Sequence, residues 1–406
     1  MTDRCDVLVL GAGPAGSATA IALARRGFAV ALADRKAFPR GKPCGEFLSP
    51  ECVPYLDAHG EGELLARVGA WEVAGMRLST AGAIAHGRFR ALGDSRHGRA
   101  GFGIRRERFD HELVRAAARA GATFLPRHEF VGLQRDPAGR VTGATLRDAD
   151  GDERAIASRF VVGADGVHSR VARALGVQRA VPWLQQFAVT THFAGVAPRR
   201  RAAVHLFPRG FFAATTVDEG LFSVNVVLPK AELRSDAAHD HDALLQRKLA
   251  DAPDLLATLA DARRTTPWRG IGPFAHDVTS PVAPGALLVG DAAGYCDPLT
   301  GEGIYFALFG AKAAADALAG ALDHPGRTDD AMRGYRATRR REIQPRIAAS
   351  RWLQRGLRHP WLIRGAVGAL ARWPGLADLA VTMSGDTIHP RDLLRPSFWR
   401  AFRASA

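Results

Sequence analysis

The chain has 406 residues, 47% of them apolar, too long for one ordinary core, and it holds no charge-free run of about 18 apolar residues of the kind that spans a membrane. Its formal charge of +14 is almost all arginine, with Lys36, Lys42, Lys230, Lys248 and Lys312 as the lysines; no stacking-aromatic or zinc-finger pattern accompanies it, so the balance reads as coding bias and no nucleic-acid partner is expected. Cys5, Cys44, Cys52 and Cys296 are too few and too scattered for a disulfide framework or a zinc knuckle, so reduced thiols and no metal site are expected.

The chain opens without a basic stretch, a long apolar segment or a small-residue cleavage site, which predicts a cytoplasmic protein. Residues 5–10 (CDVLVL) form a short β-branched run suited to a buried strand. Gly11-Ala12-Gly13-Pro14-Ala15-Gly16 follows at once and opens a helix-forming stretch over 17–26. Gly11 permits the tight turn, Gly13 lets backbone N–H groups approach a pyrophosphate, and Gly16 lets the helix pack close to the strand. The helix start adds partial positive charge. The helix stops at Gly27, and residues 28–33 give a second strand whose end carries Asp34, with Arg35 beside it as a further candidate contact. Asp34 falls close to the roughly 20-residue interval at which an acid hydrogen-bonds an adenosine ribose. A glycine turn that binds nothing is the plain alternative, and the order strand, turn, helix, strand, acid opposes it. The unit by itself does not distinguish NAD from FAD.

Residues 160–170 (FVVGADGVHSR) again form a buried-strand run ending in a turn. Asp165 stands there between glycines, where a carboxylate accepts from ribityl or ribose hydroxyls or else caps the next helix. Residues 286–304 (ALLVGDAAGYCDPLTGEGI) give a third strand, then Gly290-Asp291, a loop containing Pro298, and Gly301-Glu302-Gly303 at the start of a helix running to about Leu322. A second helix start therefore points into the site. Its free N–H groups and dipole favour a group that becomes negative on reduction.

On these motifs the chain resembles the FAD-dependent superfamily that holds the p-hydroxybenzoate hydroxylase-like aromatic-ring monooxygenases, the flavin halogenases and the geranylgeranyl reductases. The resemblance covers almost the whole chain in order: GAGPAG with Asp34, Arg106-x-x-Phe109-Asp110 before Gly121-Ala122, GADG with Ser169, and GDAAG with Pro298 and Gly301-Glu302-Gly303. It implies a Rossmann-like α/β FAD-binding domain from residues 1–70, 100–180 and 269–345. It also implies an inserted antiparallel β-sheet substrate domain from 71–99 and 181–268, and a helical C-terminal region over 346–406. By the same resemblance FAD is the cofactor, with Gly11, Gly13, Ala15 and Gly16 at the pyrophosphate and Asp34 on the adenosine ribose. Arg106 and Asp165 would approach the ribityl-pyrophosphate stretch, Gly290 and Asp291 the ribityl or ribose hydroxyls, and Gly301, Glu302, Gly303 and Ile304 the isoalloxazine. NADH or NADPH is the implied reductant, and with no second glycine-rich βαβ unit the nicotinamide is expected to visit transiently. The chain departs from the family pattern at Ala172, where an arginine often stands and Arg173 comes next, and at Asp34, which replaces the commoner glutamate.

The segment Lys42-Pro43-Cys44-Gly45-Glu46-Phe47-Leu48-Ser49-Pro50 resembles the Lys-Pro-Cys-Gly stretch of the geranylgeranyl reductases, while its Gly-Glu-x-Leu-x-Pro part resembles the halogenase and monooxygenase counterpart. Cys44 is a proton donor or a small apolar filler, and Glu46 orients substrate or caps a local turn. With Pro298 they are the candidate catalytic residues. Gly294 stands where ring hydroxylases usually have histidine, which favours a reductase, whereas Glu46 departs from the reductase pattern. The Trp-x-Trp-x-Ile-Pro segment of the halogenases is absent. The expected activity is hydroxylation of an apolar aromatic, polyketide- or isoprenoid-derived molecule through a flavin C4a-hydroperoxide. Saturation of a carbon–carbon double bond is the alternative; halogenation and a flavin-binding module without catalysis rank lower.

Residues 187–196, 203–207, 211–217 and 221–228 read as strands of an antiparallel sheet, with Pro208-Arg209-Gly210 and Asp218-Glu219-Gly220 as turns. Phe193, Phe207, Phe211, Phe212 and Phe222 are either pocket lining or core, with core the commoner fate. His192, His205 and His276 are candidate proton handlers or structural histidines. The stretch 351–376 mixes Trp352, Trp361 and Trp373 with many arginines; it either packs against the FAD-binding domain, the favoured reading, or rests on an anionic membrane surface. Nothing in the sequence speaks to the oligomeric state.

Overall fold

The computed structural model describes residues 4–90, 100–235 and 241–404. The expected domain segments 1–70, 71–99, 181–268 and 346–406 each include a few residues that lie outside the described residues. The first strand, β1 (Arg4–Leu10), passes through a glycine turn into α1 (Pro14–Ala24). β2 (Val30–Asp34) then returns parallel to β1, with Val7 opposite Val30 and Leu10 opposite Ala33. The run from Val7 to Leu10 is apolar without alternation because both faces of β1 are covered. Val7 and Val9 join the core with Ile21 and Leu308, while Leu8 and Leu10 meet Val141 and Leu146 of an antiparallel hairpin. Thr123–Pro126 extends the parallel sheet beyond β2, and Glu153–Gly163 and Ala286–Leu288 extend it on the other side of β1.

Pro14 occupies the first helical position of α1, where a missing N–H costs nothing. The residues that follow are small enough for α1 to lie almost on the sheet. A Cβ on Gly16 would stand 1.8 Å from the carbonyl oxygen of Gly11, so this position admits only glycine. The helix α2 (Arg106–Arg119) and the long helix α3 (Gly303–Asp323) pack on the same side. α3 is the one helix among the described residues long and apolar enough to cross a bilayer, and 67% of its most apolar stretch is buried in this core.

The second lobe is built on a sheet of eight strands among the described residues. Its centre is the antiparallel set β3 (Gln186–Ala194), β6 (Phe222–Pro229), β5 (Gly210–Thr216) and β4 (Arg201–Phe207), and Gly75–Thr80 joins β4 in parallel. The turns fall at the expected places, where Arg209 and Glu219 adopt left-handed backbone with φ of 66° and 59°. One face of this sheet is covered by short helices. Phe193, Phe207, Phe212 and Phe222 point there and pack with Leu244, Leu245 and Leu249. Phe211 faces the other way, with Val204, Val227, Phe274 and Tyr295.

The C-terminal helices are α4 (Thr328–Glu342), α5 (Gln344–Gly356), α6 (Pro360–Arg372) and α7 (Pro374–Ser384). α4 packs on α3, but α6 and α7 pack on Gly75–Thr80 and Ala83–Arg88 of the second lobe. The favoured expectation put the stretch 351–376 against the FAD-binding domain; its first residues do lie there, with Arg351 on Asp277, but α6 lies across the lobe sheet. The reason is that its buried stripe, Ile363 and Val367, finds the apolar face of that sheet.

Candidate active site and cofactor cleft

The two lobes meet in a cleft of about 1300 Å³, counting its mouth, that runs from the start of α1 to the inner face of the lobe sheet. At the α1 end, Gly11 has φ of 104°, and a Cβ there would lie 2.5 Å from the Ala164 carbonyl oxygen. The turn therefore lets β1 and the strand ending at Gly163 approach without a side chain between them. Asp34 closes the turn from β2, accepting from Ala12 N and Lys36 N at 2.9 Å each. The guanidinium groups of Arg40 and Arg106 converge on Gly13: a Cβ built there would be 3.8 Å and 3.9 Å from them. Arg106 is fixed by Asp110, Nε to Oδ1 at 2.7 Å and Nη2 to Oδ2 at 2.8 Å, and Arg40 shares the same carboxylate at 3.2 Å. Burial alone would weaken the Arg106 cation, but Asp110 beside it outweighs burial and holds the proton more firmly than usual.

Lys42 lies between this cluster and the next strand end, its Nζ 3.8 Å from Asp291 Oδ2. Burial lowers its pKa, Arg106 and Arg40 add to the effect, and Asp291 opposes it. Three cations thus face a helix start whose first N–H groups have no intrahelical acceptor, which is the donor set a diphosphate needs. FAD fits these residues: Gly13 leaves open the space a side chain would fill, and the charges around it are cationic.

Further along the cleft, Gly290 with φ of 61° brings the GDAAG turn against α1, since a Cβ on it would stand 2.8 Å from Ala15 Cβ. Asp291, Pro298, Gly301, Gly303 and Ile304 line the cleft wall. Gly301 has φ of 75°, and its Cβ would meet Phe47 at 3.0 Å, so the loop that starts α3 and the segment 44–47 are in contact. The turn is braced from behind by Arg339, which donates to the carbonyls of Ala293 and Gly294, and by the Tyr335 hydroxyl, 2.6 Å from the Leu288 carbonyl.

The structure does not bring every expected residue to the cleft. Asp165 does not line it: both carboxylate oxygens are engaged locally, accepting from Ser169 Oγ at 2.5 Å and Arg170 N at 2.7 Å, so the carboxylate caps the next short helix. Burial pushes its pKa up. Arg35 is exposed at the end of β2. Glu302 turns its side chain away from the cleft, accepting from Thr300 Oγ1 at 2.6 Å and from Arg346 at 3.4 Å. Its contribution to the cleft is backbone at the start of α3.

The segment 44–47 carries the polar chemistry of the cleft. Glu46 adopts φ of 54°, a left-handed conformation that a non-glycine residue holds only when its surroundings enforce it. Its carboxylate is buried, with Oε1 accepting from Arg106 N at 3.1 Å and Oε2 2.6 Å from His192 Nε2. His192 Nδ1 lies 2.9 Å from Thr266 Oγ1. Glu46 borders the main cleft and also a smaller surface pocket lined by His192 and Thr266. The pair therefore stands between the cleft and this second pocket. Cys44 lines the cleft, and its Sγ accepts from Glu46 N at 3.3 Å. His192 was one of three candidate histidines in the sequence. Only the register of β3 places it against Glu46, 146 residues away. His205 bonds Ser79 and His276 turns to the Phe274 carbonyl, both structural roles. Beyond Glu46 the cleft is lined chiefly by small apolar residues and by Met76, Phe211, Ile271 and Phe274.

Comparison with known proteins agrees with this geometry. Residues 4–348 match the FAD binding domain family. The chain is 30% identical over 343 residues to digeranylgeranylglycerophospholipid reductase 2 of Methanopyrus kandleri, covering 81% of this chain and 81% of that one. It is also 30% identical over 343 residues to the menaquinone reductase of Mycobacterium tuberculosis, covering 78% and 77%. Among solved structures, the flavin-dependent halogenase CmlS superposes with a TM-score of 0.76 at 25% identity, over 84% of this chain but only 63% of that longer one. The chain therefore belongs to the FAD-binding-domain family, with a p-hydroxybenzoate hydroxylase-like fold and the character of an FAD-dependent oxidoreductase.

Proposed function

We propose that this flavoenzyme takes reducing equivalents from NADH or NADPH and uses them to hydroxylate an apolar, aromatic or polyketide- or isoprenoid-derived small molecule held against the inner face of the lobe sheet. Bound FAD would supply two-electron chemistry and the reduction of oxygen. The protein's own residues do the rest. Arg40, Lys42 and Arg106 would hold the diphosphate, Asp291 would meet the ribityl or ribose hydroxyls, and the start of α3 at Gly301 to Ile304 would offer N–H groups to a flavin ring that becomes anionic. The apolar wall formed by Met76, Phe211, Ile271 and Phe274 excludes water and orders a substrate by shape.

The observation that carries the choice of reaction is the Glu46–His192 contact at 2.6 Å on the cleft wall. An electron-rich phenol or enol is activated for hydroxylation when a base accepts its O–H proton. Glu46 can take that proton inside the cleft, and His192 can pass it toward Thr266 and the surface pocket. A second reading, saturation of a carbon–carbon double bond, is favoured by Cys44, whose thiol borders the cleft as a proton donor, and by relatives that are named reductases.

The test is incubation of the FAD-loaded protein with NAD(P)H and a panel of phenolic and polyprenyl compounds, with and without oxygen, followed by mass spectrometry. A product that gains one oxygen atom, and only in air, supports hydroxylation. A product that gains two hydrogens without oxygen transfers the assignment to the reductase reading, and NAD(P)H consumption with no altered product removes both.

A further inference from the structure

Among the described residues, three of the four exposed tryptophans lie in one acid-free segment. Between Glu342 and Asp378 the sequence has no aspartate or glutamate, but it has Arg346, Arg351, Arg355, Arg358, Arg364 and Arg372. Within it Trp352, Trp361 and Trp373 are 71%, 69% and 56% exposed, far more than a tryptophan in a packed domain. Leu353, Leu362 and Leu376 beside them are also exposed.

The helix α6 is two-faced in a specific way. Ile363 and Val367 are buried against the lobe sheet, so its outer surface is free. On that surface Trp361 and Leu362 are exposed, and the exposed Trp373 follows directly after the last helical residue. Arg364 and Arg372 are exposed on the same helix. At the end of α5, Arg355 stacks over Trp352 and Trp183, with centroid distances of 5.8 Å and 4.9 Å, and Arg358 stacks over Trp183 at 5.2 Å. Arg346 and Arg351 are spent on Asp386 and Asp277. Arg358 also donates to the Trp183 carbonyl at 2.5 Å, whereas Arg355, Arg364 and Arg372 form no ion pair among the described residues.

We infer that the outer surface of α5, α6 and the start of α7 docks on an anionic lipid bilayer, with Trp352, Trp361 and Trp373 seated at the headgroup boundary and Arg355, Arg364 and Arg372 on lipid phosphates. Charge decides the occupant. A second copy of this chain would set arginine against arginine with no acid in the segment to pair them, whereas an anionic bilayer offers negative charge over the whole face. Tryptophan and arginine together suit an interface that is apolar on one side and charged on the other, because the ring and the arginine stem enter the apolar region while the polar ends stay in water. The inference rests on this surface alone and holds whichever reaction the cleft performs. The inner side of α6 carries Ile363 into the apolar cluster that includes Phe211 and Phe274 of the cleft wall, so docking would bring that wall close to the bilayer.

The test is flotation of the full FAD-loaded chain with phosphatidylcholine vesicles that contain or lack phosphatidylglycerol. The chain should float with the anionic vesicles, with a blue-shifted tryptophan emission, and be released at raised ionic strength. R364Q/R372Q should weaken binding about 25-fold, since each arginine near an anionic surface contributes about a fivefold effect. W361S/W373S should cut the blue shift to the part that Trp352 contributes while leaving flavin absorbance and circular dichroism unchanged, which shows that the variant is folded. Equal flotation with neutral vesicles, flotation that neither variant reduces, or a dimer in solution that W361S/W373S dissolves would each overturn the inference.

Discussion

Arg106 joins the fold to the cofactor cleft, and its replacement by leucine tests both at once. In the structure Arg106 and Asp110 are 4% and 0% exposed and joined by two hydrogen bonds of 2.7 Å and 2.8 Å. Removing one partner of a buried pair leaves the other as an uncompensated charge, which costs about 3–5 kcal/mol. Arg40 at 3.2 Å from the same carboxylate will relieve part of this, so the lower end of the range is expected for R106L. Against a total stability of about 5–15 kcal/mol, the loss should be plain in a denaturant melt. R106L/D110L removes the pair together and should be less destabilised than the sum of the single variants. Arg106 also stands over Gly13, and loss of one charged donor to a phosphate costs about 1.5–3 kcal/mol, or roughly 10- to 100-fold in affinity for FAD. The assays are urea unfolding of the flavin-free proteins and titration with FAD followed by flavin fluorescence. An R106L protein within about 1 kcal/mol of wild type, as for an exposed pair, that also binds FAD with unchanged affinity would refute the reasoning.

Three further outcomes are expected. Gly301→Val places a branched side chain at φ of 75° and a Cβ 3.0 Å from Phe47; a strain of about 1–3 kcal/mol should displace the loop and reduce the flavin retained on purification, while a fully yellow variant would show that the loop tolerates the side chain. Glu46→Gln keeps a partner for His192 but removes the base, so product formation should fall about 100-fold or more while NAD(P)H still bleaches the flavin; an unaffected product rate would remove Glu46 from the chemistry. Asp386 is buried beside Glu302, which together raise its pKa well above the carboxylate range despite Arg346 nearby. Its folded state therefore binds the proton more tightly than its unfolded state, so its contribution is full below the ordinary carboxylate pKa and is lost as pH rises through the raised value. Asp386→Asn should show a smaller fall in stability from acid to alkaline pH than wild type, and parallel profiles would contradict that sign.

The parts of the site that were legible in the sequence are those where the backbone itself makes the contact. Gly11, Gly13, Gly16, Gly290 and Gly301 stand where a Cβ would strike a neighbour or the φ is positive, or where the space faces a ligand, and such positions mark themselves by residue type. Strands were legible because their faces alternate or, in β1, are buried on both sides. Side-chain roles that depend on long-range register were not. No local pattern distinguishes His192 from His205, because only the pairing of β3 with its neighbours brings His192 to Glu46. Asp165 and Asp291 look alike as acids after a strand, yet the serine four residues on draws Asp165 into a cap while Asp291 remains on the cleft wall. Of Phe193, Phe207, Phe211, Phe212 and Phe222, Phe211 alone faces the cleft cluster, since that depends on which face of the sheet the short helices cover. The docking of α6 on the lobe was likewise undecided by its own amphipathic pattern, which specifies an apolar partner but not which one.

The account depends on a single FAD lying along the cleft from Gly13 to Ile304, and a crystal structure of the chain grown with FAD examines this most directly. The diphosphate should lie against the start of α1 between Arg40 and Arg106, and the flavin ring should reach the Gly301–Ile304 turn beside Cys44. Flavin density elsewhere on the molecule, or a diphosphate that leaves Arg106 untouched, would contradict it.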